Sequence, residues 1–480
     1  MGKSITKNLM YNLILRIVTM VLPLVTLPYV SRILGAEGVG IYSYTYSITQ
    51  YFIILGTVGL TLYGNRQIAY TRDDQEKMSR TFWSIFLLRI ITTGLATLIY
   101  ASIFWNSENY NIVFMLQTVL IIAAMLDISW LYLGREDFKK TVLVNLSVKI
   151  VGVILIFILV RDSNDLYLYI IINVLMLLLA SLSLWYYLPS TVKMVKPKIS
   201  DISEHITPAL QLFVPQIAIQ VYVLLDKTMI GVLSNVEQVG FYAQSEKLIK
   251  AGLALVTALG TVMMPRMSNI FANGDTKTMI KYLNISLKAV AFIAVPMSVG
   301  LASLSSEFVP WFLGTEFEPA IILMVVLSPI LFFIAMSNVM GTQFLLPSNR
   351  TKEFTISVTI GAVVNLTMNF ILIPEFGALG ACIATIIAEI SVTSIQYYYL
   401  RNELRLKDFY LGFSKYLIAA LFMFIIIKPL GLLMGVGIST TITQFILGVS
   451  IYWLVLTLLK EEINNMLVKK ISMRLKIGRS

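Results

Sequence analysis

Seven cationic side chains stand where cations are most costly. Arg16, Arg89, Lys149, Lys227, Lys247, Lys250 and Lys288 fall inside stretches that are otherwise almost wholly apolar, and the acids at comparable positions are Asp127, Asp226, Glu246 and Glu389. Each charge costs ~2.5–3.5 kcal/mol to place in hydrocarbon. Cations in excess of acids do not fit a set of structural ion pairs; they fit a cavity that holds a polyanion. Arg16 and Arg89 are the leading candidates for a phosphate-type anion, because a guanidinium stays charged and engages two oxygens at once, whereas lysine is a point charge. Arg16, Arg89, Lys149 and Lys288 lie about two turns, ~11 Å, from one end of their segments. A second reading therefore stands for Lys149 and Lys288, in which the stems snorkel to nearby headgroups. Lys227, Lys247 and Lys250 lie toward the opposite end, so cationic sites occur at both levels. Lys247 and Lys250, three residues apart, share a helical face. Asp127 is a candidate counter-ion to one of the cations. Tyr42, Tyr46 and Gln50 share a face, and Tyr46 and Gln50 offer hydrogen bonds and a flat ring to a sugar; an aromatic belt at the membrane interface is the competing reading for Tyr42 and Tyr44.

The elements that must position these residues are long apolar segments. The 480-residue chain is 57% hydrophobic and only 13% charged, too little polar surface for a soluble fold. Stretches of about 20 apolar residues cross a bilayer as helices, and the sequence predicts fourteen: 9–30, 41–63, 81–104, 112–133, 142–160, 166–188, 208–232, 241–264, 283–304, 320–345, 354–373, 377–400, 414–434 and 438–459. The fold class is an all-α polytopic membrane protein. Of the 37 Lys and Arg, those outside the spans fall almost entirely on alternate connecting segments, with Arg32 and Arg161 on the other set, joined by Lys428 at the outer end of the span 414–434. That asymmetry puts the N- and C-termini on the cytoplasmic side of a cell membrane. It also accounts for the net charge of +11 without nucleic acid as a partner. The basic tail 460–480 is expected to lie on anionic headgroups. No cleavable signal peptide is expected.

One cysteine, Cys382, leaves no internal disulfide or cysteine metal cluster, and one histidine, His205, reads as a surface residue of a linker. The sequence contains no P-loop, no His-Glu-x-x-His and no large soluble domain. An ATP-driven pump and an enzyme are both disfavoured, and no metal site or cofactor is expected beyond a coupling ion, Na+ or H+.

The halves echo each other. Val39-Gly40-Ile41-Tyr42-Ser43 returns as Val239-Gly240-Phe241-Tyr242-Ala243, Glu136-Asp137-Phe138-Lys139 as Lys352-Glu353-Phe354-Thr355, and Trp185-Tyr186-Tyr187-Leu188 as Tyr397-Tyr398-Tyr399-Leu400. Similar offsets in the same order suggest a duplicated six-span unit, which gives parallel repeats related by an axis along the membrane normal. The expected domains are 1–188 and 208–400, six spans each, joined by the polar linker 189–207 and followed by 401–459 with two further spans. Pro23, Pro28, Pro215, Pro296 and Pro329 lie within spans and can bend them.

Ser31-Arg32-Ile33-Leu34-Gly35-Ala36-Glu37-Gly38-Val39-Gly40-Ile41-Tyr42, with Asp226-Lys227-Thr228-Met229-Ile230-Gly231 and Val239-Gly240-Phe241-Tyr242, resembles the Wzx-type polysaccharide flippases, relatives of the MATE exporters and lipid II flippases in the MOP superfamily. The resemblance spans essentially the whole chain. It implies two six-helix lobes related by a pseudo-twofold axis, two C-terminal helices, a V-shaped central cavity and alternating access. The implied cargo is an oligosaccharide repeat unit on undecaprenyl pyrophosphate, turned from the cytoplasmic to the outer leaflet for capsule, O-antigen or teichoic-type polymers, with membrane lipids and a polymerase complex as expected partners. Resemblance to sodium-coupled lipid II flippases also implies a cation set of Asp226, Asn365, Asn369, Ala381 and Thr385, with asparagine where a second carboxylate would strengthen it. A MATE-like exporter of small cationic drugs is the alternative, and the cation excess argues against it.

Overall fold

In the computed structural model, residues 2–404 and 406–466 are described; of these, 2–21, 214–216, 218, 219, 221, 222, 258, 259, 261, 262 and 406–408 contribute helical backbone only. The described residues contain helices and no strand. Hydrocarbon supplies no hydrogen-bond partner to a backbone, and a helix satisfies its own. Helices α1 (Gly2–Thr57), α2 (Leu60–Thr71), α3 (Gln75–Phe104), α4 (Asn111–Leu126), α5 (Ser129–Gly134), α6 (Phe138–Leu159), α7 (Leu166–Ser183), α8 (Ile199–Ser203) and α9 (Ile206–Leu233) belong to a first unit, residues 1–240. Helix α10 (Val236–Ala272) begins there and continues into a second unit, 241–480. That unit contains α11 (Thr276–Leu313), α12 (Pro319–Leu327), α13 (Ile330–Ser337), α14 (Thr351–Phe376), α15 (Ala378–Leu400), α16 (Leu406–Met434) and α17 (Ile438–Leu458).

Among the described residues, eleven helical stretches are long and apolar enough to cross a membrane, which makes this a multi-pass membrane protein. Fourteen spans were expected, and the difference has two sources. The first two expected spans count as one stretch, because they are two helices that meet at a kink at Gly35 with no loop between them. Only Gly35, at φ 66° and ψ −177°, leaves the helical region, a conformation that glycine adopts without strain. The seventh and eighth fall on α9 and α10, which contain residues outside those fully described.

In the first unit, the fourth expected span is broken at Asp127–Ile128 into α4 and α5. A break inside hydrocarbon orphans the last carbonyls of α4. Arg89 Nε donates to the Ala124 carbonyl at 2.8 Å and Trp185 Nε1 to that of Leu126 at 2.8 Å. The Asp127 carboxylate accepts from the Ser129 N–H (2.9 Å) and hydroxyl (3.0 Å), opening α5. Past Leu188, the linker is pinned to α3: Gln75 donates to the Thr191 carbonyl, Trp83 to that of Lys193, and the Lys193 N–H to Ser79.

The second unit packs α11 against α16 and α17, and folds α14 on α15 through a turn at Gly377. Lys428, grouped with the outer basic residues although the expected span 414–434 contains it, lies in α16 with its ammonium 3.3 Å from Glu307 of α11. Gln444 of α17 donates to the same carboxylate at 3.4 Å and to the Ile427 carbonyl at 2.9 Å. Glu307 is buried, so the charge is held by a cation and an amide rather than by water.

His205 also departs from expectation. It is buried, at the N-terminus of α9, and its Nδ1 lies 2.7 Å from the Tyr63 hydroxyl. Burial pulls its pKa below the ordinary 6.5, against a smaller upward pull from Glu204 and Asp201. A depressed folded-state value means that the unfolded chain binds the proton first as pH falls. The contribution of His205 is therefore complete above about pH 6.5 and is lost below it, down to the folded-state value. Thermal unfolding of the purified protein at pH values from about 7.5 to 5.5 is expected to show Tm falling on acidification, and His205→Gln to flatten that slope.

Candidate functional site

Helix α1 beyond Gly35 is built with two polar faces. Thr45 and Thr49, one turn apart, point at α4: Thr49 donates to Gln117 Oε1 at 2.8 Å, Gln117 Nε2 donates to Thr45 at 2.8 Å, and Thr49 meets the Tyr100 hydroxyl at 2.9 Å. All four side chains are buried. A connected network of this kind fixes one geometry, because an unmade bond in a dry interior is costly. Tyr44, Ser47 and Tyr51 lie at helical spacing on another face, toward α9. Ser47 Oγ is 3.0 Å from Thr228 Oγ1, and Thr228 donates to the Tyr51 hydroxyl at 3.2 Å. Gly231, one turn on, leaves room for the Tyr44 ring; a methyl group there would sit 2.1 Å from a ring carbon.

At the far end of this seam, backbones touch. A methyl group at Gly40 would lie 1.7 Å from the Val236 carbonyl oxygen, and one at Gly240 would lie 2.0 Å from that of Ala36. The two contacts are reciprocal: Ala36 stands one turn before Gly40, as Val236 does before Gly240. Exchanging positions 200 apart converts one contact into the other, the offset at which Val-Gly-x-Tyr repeats. Sequence reading found the repeated motif; the requirement for glycine appears only when the backbones are seen to meet.

The expected anion-binding residues distribute as follows. Arg16 lies outside the fully described residues. Arg89 does not face open space. It is 2% exposed, its Nη1 donates to Thr61 at 3.0 Å, and its Nη2 stands 3.7 Å from Asp127. Its donors serve the broken fourth span, with Asp127 within ion-pair distance. Lys149 is on an exposed face of α6 beside Ile150 and Val151. Lys227, in α9, interacts electrostatically with Tyr46 across the seam. Lys250 pairs with Glu246 one turn earlier, and Lys247 is partly buried beside them. Lys288 pairs with Glu462 at 3.1 Å. Tyr46 stacks on Tyr42 with ring centres 5.6 Å apart, Tyr42 meets the edge of Tyr169, and Gln50 is half-buried.

Of the expected cation set, Asp226 is buried in α9. Asn365 and Asn369 are fully buried in α14, where Asn369 Nδ2 donates to Asn365 Oδ1 at 3.1 Å. Thr385 donates to the Ala381 carbonyl at 2.9 Å within α15. Among the described residues no group of three or more His, Cys, Asp or Glu side chains is arranged to hold a metal.

The profile of the polysaccharide biosynthesis protein family matches residues 5–271, and that of the lipid II flippase MurJ matches residues 193–456. The chain is 24% identical over 411 residues to the "Putative O-antigen transporter" of Escherichia coli (strain K12), an alignment covering 83% of this chain and 97% of that one. Its fold is similar to that of lipid II flippase MurJ in an inward closed conformation, with a TM-score of 0.77 at 14% identity over 94% of this chain and 98% of the other. It is also similar to an inward-facing multidrug resistance MATE family transporter of the MOP superfamily, with a TM-score of 0.62 at 12% identity over 81% and 95%.

Removing the Arg89 side chain strands the Asp127 carboxylate and the Ala124 carbonyl. Arg89→Ala is expected to destabilise the protein by roughly 3–5 kcal/mol, the range for breaking a buried pair. Arg89→Ala combined with Asp127→Asn is expected to cost less than the sum of the two single changes in a double-mutant cycle of Tm.

Proposed function

The chain belongs to the polysaccharide biosynthesis protein family, and from that premise we propose that it is a flippase for lipid-linked oligosaccharides. The cargo is a glycan on polyprenyl pyrophosphate, carried from the cytoplasmic to the outer leaflet of the cell membrane, with no covalent bond made or broken by the protein. The names of relatives matched over most of their length, an O-antigen transporter in sequence and a lipid II flippase in fold, support this cargo class. The asymmetric distribution of Lys and Arg supports cytoplasmic termini.

The observation that carries the mechanism is the reciprocal glycine contact. It lies just past the kink at Gly35, between the first two expected spans, and so on the outer side in this orientation. Carbonyl oxygens meeting glycine Cα atoms close the seam without interlocking side chains. The bonds beneath it, Ser47 with Thr228 and Thr228 with Tyr51, are single hydroxyl contacts that water or a sugar hydroxyl can replace. Opening the seam would expose hydroxyls and Lys227 together, a lining suited to a sugar followed by a pyrophosphate. Lys227 is the cation of this seam, and its ammonium would supply charge-assisted hydrogen bonds to phosphate oxygens.

The test is complementation in a host lacking its own repeat-unit flippase, with variants compared at matched membrane levels. The wild-type chain is expected to restore surface glycan. Gly40→Val and Gly240→Val should each abolish it and leave lipid-linked repeat units inside, while Gly94→Val, with nothing within 4 Å of the added group's first carbon, should not. Lys227→Gln should lower transport by roughly tenfold, about one charge-assisted hydrogen bond. Failure of the wild-type chain with several glycan types, or full activity of both glycine variants, would refute this reading.

A further inference from the structure

We propose that the second unit carries a separate site for an anionic bilayer phospholipid, at the basic ends of α11 and α16. In α11, Lys281 and Lys288 lie seven residues apart, two turns on one helical face. They line a cavity of about 410 Å³ together with Asn284, Phe409 and Glu462. A second cavity, of about 190 Å³, shares Lys288 and Glu462 and adds Lys415 of α16. Three lysines thus line two cavities that share Lys288 and Glu462.

The two neighbouring acids, against three lysines, compensate the positive charge only in part. The Glu461 carboxylate is buried and already engaged, accepting from the Tyr416 hydroxyl at 2.9 Å and from the Asn464 N–H at 2.8 Å. Glu462 meets Lys288 at 3.1 Å, but its side chain is 69% exposed. Exposed pairs are worth ~0–1 kcal/mol, so a phosphate can displace this carboxylate toward water.

The cationic cavity continues into an apolar one. Asn284 and Phe409 also line a groove of about 250 Å³ walled by Leu287, Phe332, Met336 and Phe413. A cationic mouth joined to an apolar trough fits a phosphate carrying a hydrocarbon chain better than a free anion. Basic pockets between spans on the cytoplasmic side are the usual form of anionic-lipid sites, and the bulk bilayer supplies such a lipid in excess. The site assigns Lys288 a partner in the membrane, apart from the cargo path, and stands or falls independently of the flippase reading.

The experiment is native mass spectrometry of the full-length protein from micelles holding equal amounts of phosphatidylglycerol and phosphatidylcholine. The wild type is expected to retain phosphatidylglycerol preferentially. Lys281→Gln with Lys288→Gln should weaken retention by about fivefold per lysine, since each lysine near an anionic surface contributes ~1 kcal/mol. Lys281→Arg with Lys288→Arg, which keeps the charge, should preserve the preference and controls for folding. Equal retention of the two lipids by the wild type, or an undiminished preference in the Gln variant, overturns the proposal. Displacement of phosphatidylglycerol by equimolar inorganic phosphate would make the site one for a free anion, and displacement by equimolar undecaprenyl phosphate would give it to the cargo; either overturns it as a phospholipid site.

Discussion

Hydrocarbon accepts no hydrogen bonds, and every polar atom that enters it must find a partner within the protein. The consequences run from backbone to side chain. Helices dominate because each satisfies its own peptide groups. Hydroxyls within them turn back onto carbonyls one turn earlier, as Ser31 does to Leu27 and Thr385 to Ala381. Where a helix breaks, the demand falls on side chains. At Asp127 it is met by Arg89 and Trp185, which take the released carbonyls, and by Ser129, which answers the carboxylate. Arg89 is therefore part of the backbone accounting of the fourth span, although its charge and depth alone suggest a ligand.

The same demand explains which features were legible in the sequence. Apolar length is a property of single segments, and it revealed the all-helical, multi-pass class. Partnership is a property of pairs of segments. Depth along a span could not distinguish Arg89, enclosed beside Asp127, from Lys227, beside Tyr46 in the seam, because both are cations in apolar surroundings. Lys428, inside the expected span 414–434, was grouped with the outer basic residues because its partner, Glu307, lies over a hundred positions away and on another helix. His205 looked like a surface residue of a polar linker for a similar reason: Tyr63, which buries it, comes from α2.

Glycines show the limit most clearly. The repeat of Val-Gly-x-Tyr at an offset of 200 is visible in the sequence, and it marks equivalent places in the two halves. What it cannot show is that Gly40 faces Val236 while Gly240 faces Ala36. A reciprocal contact of this kind needs small residues at both ends, because a side chain at either would hold both backbones apart, and the repeated Val-Gly motif supplies a glycine at each.

Two kinds of contact on α1 then divide what is rigid from what can part. The Thr45–Gln117–Thr49–Tyr100 network is buried and multiply bonded, and breaking it would leave several polar atoms unsatisfied, at ~1–3 kcal/mol each. That holds α1 beyond Gly35 to α3 and α4 as one body. The opposite face meets α9 through single hydroxyl bonds, each worth ~0.5–1.5 kcal/mol net and replaceable by water, and the start of α10 through glycine-to-carbonyl contact. If both faces had been bonded like the first, closure would be a permanent part of the fold; if neither had been, α1 would have no body to move with. On the proposed function, a stiff attachment on one side of a helix and an exchangeable one on the other is the arrangement that lets a seam open while α1 stays fixed to α3 and α4.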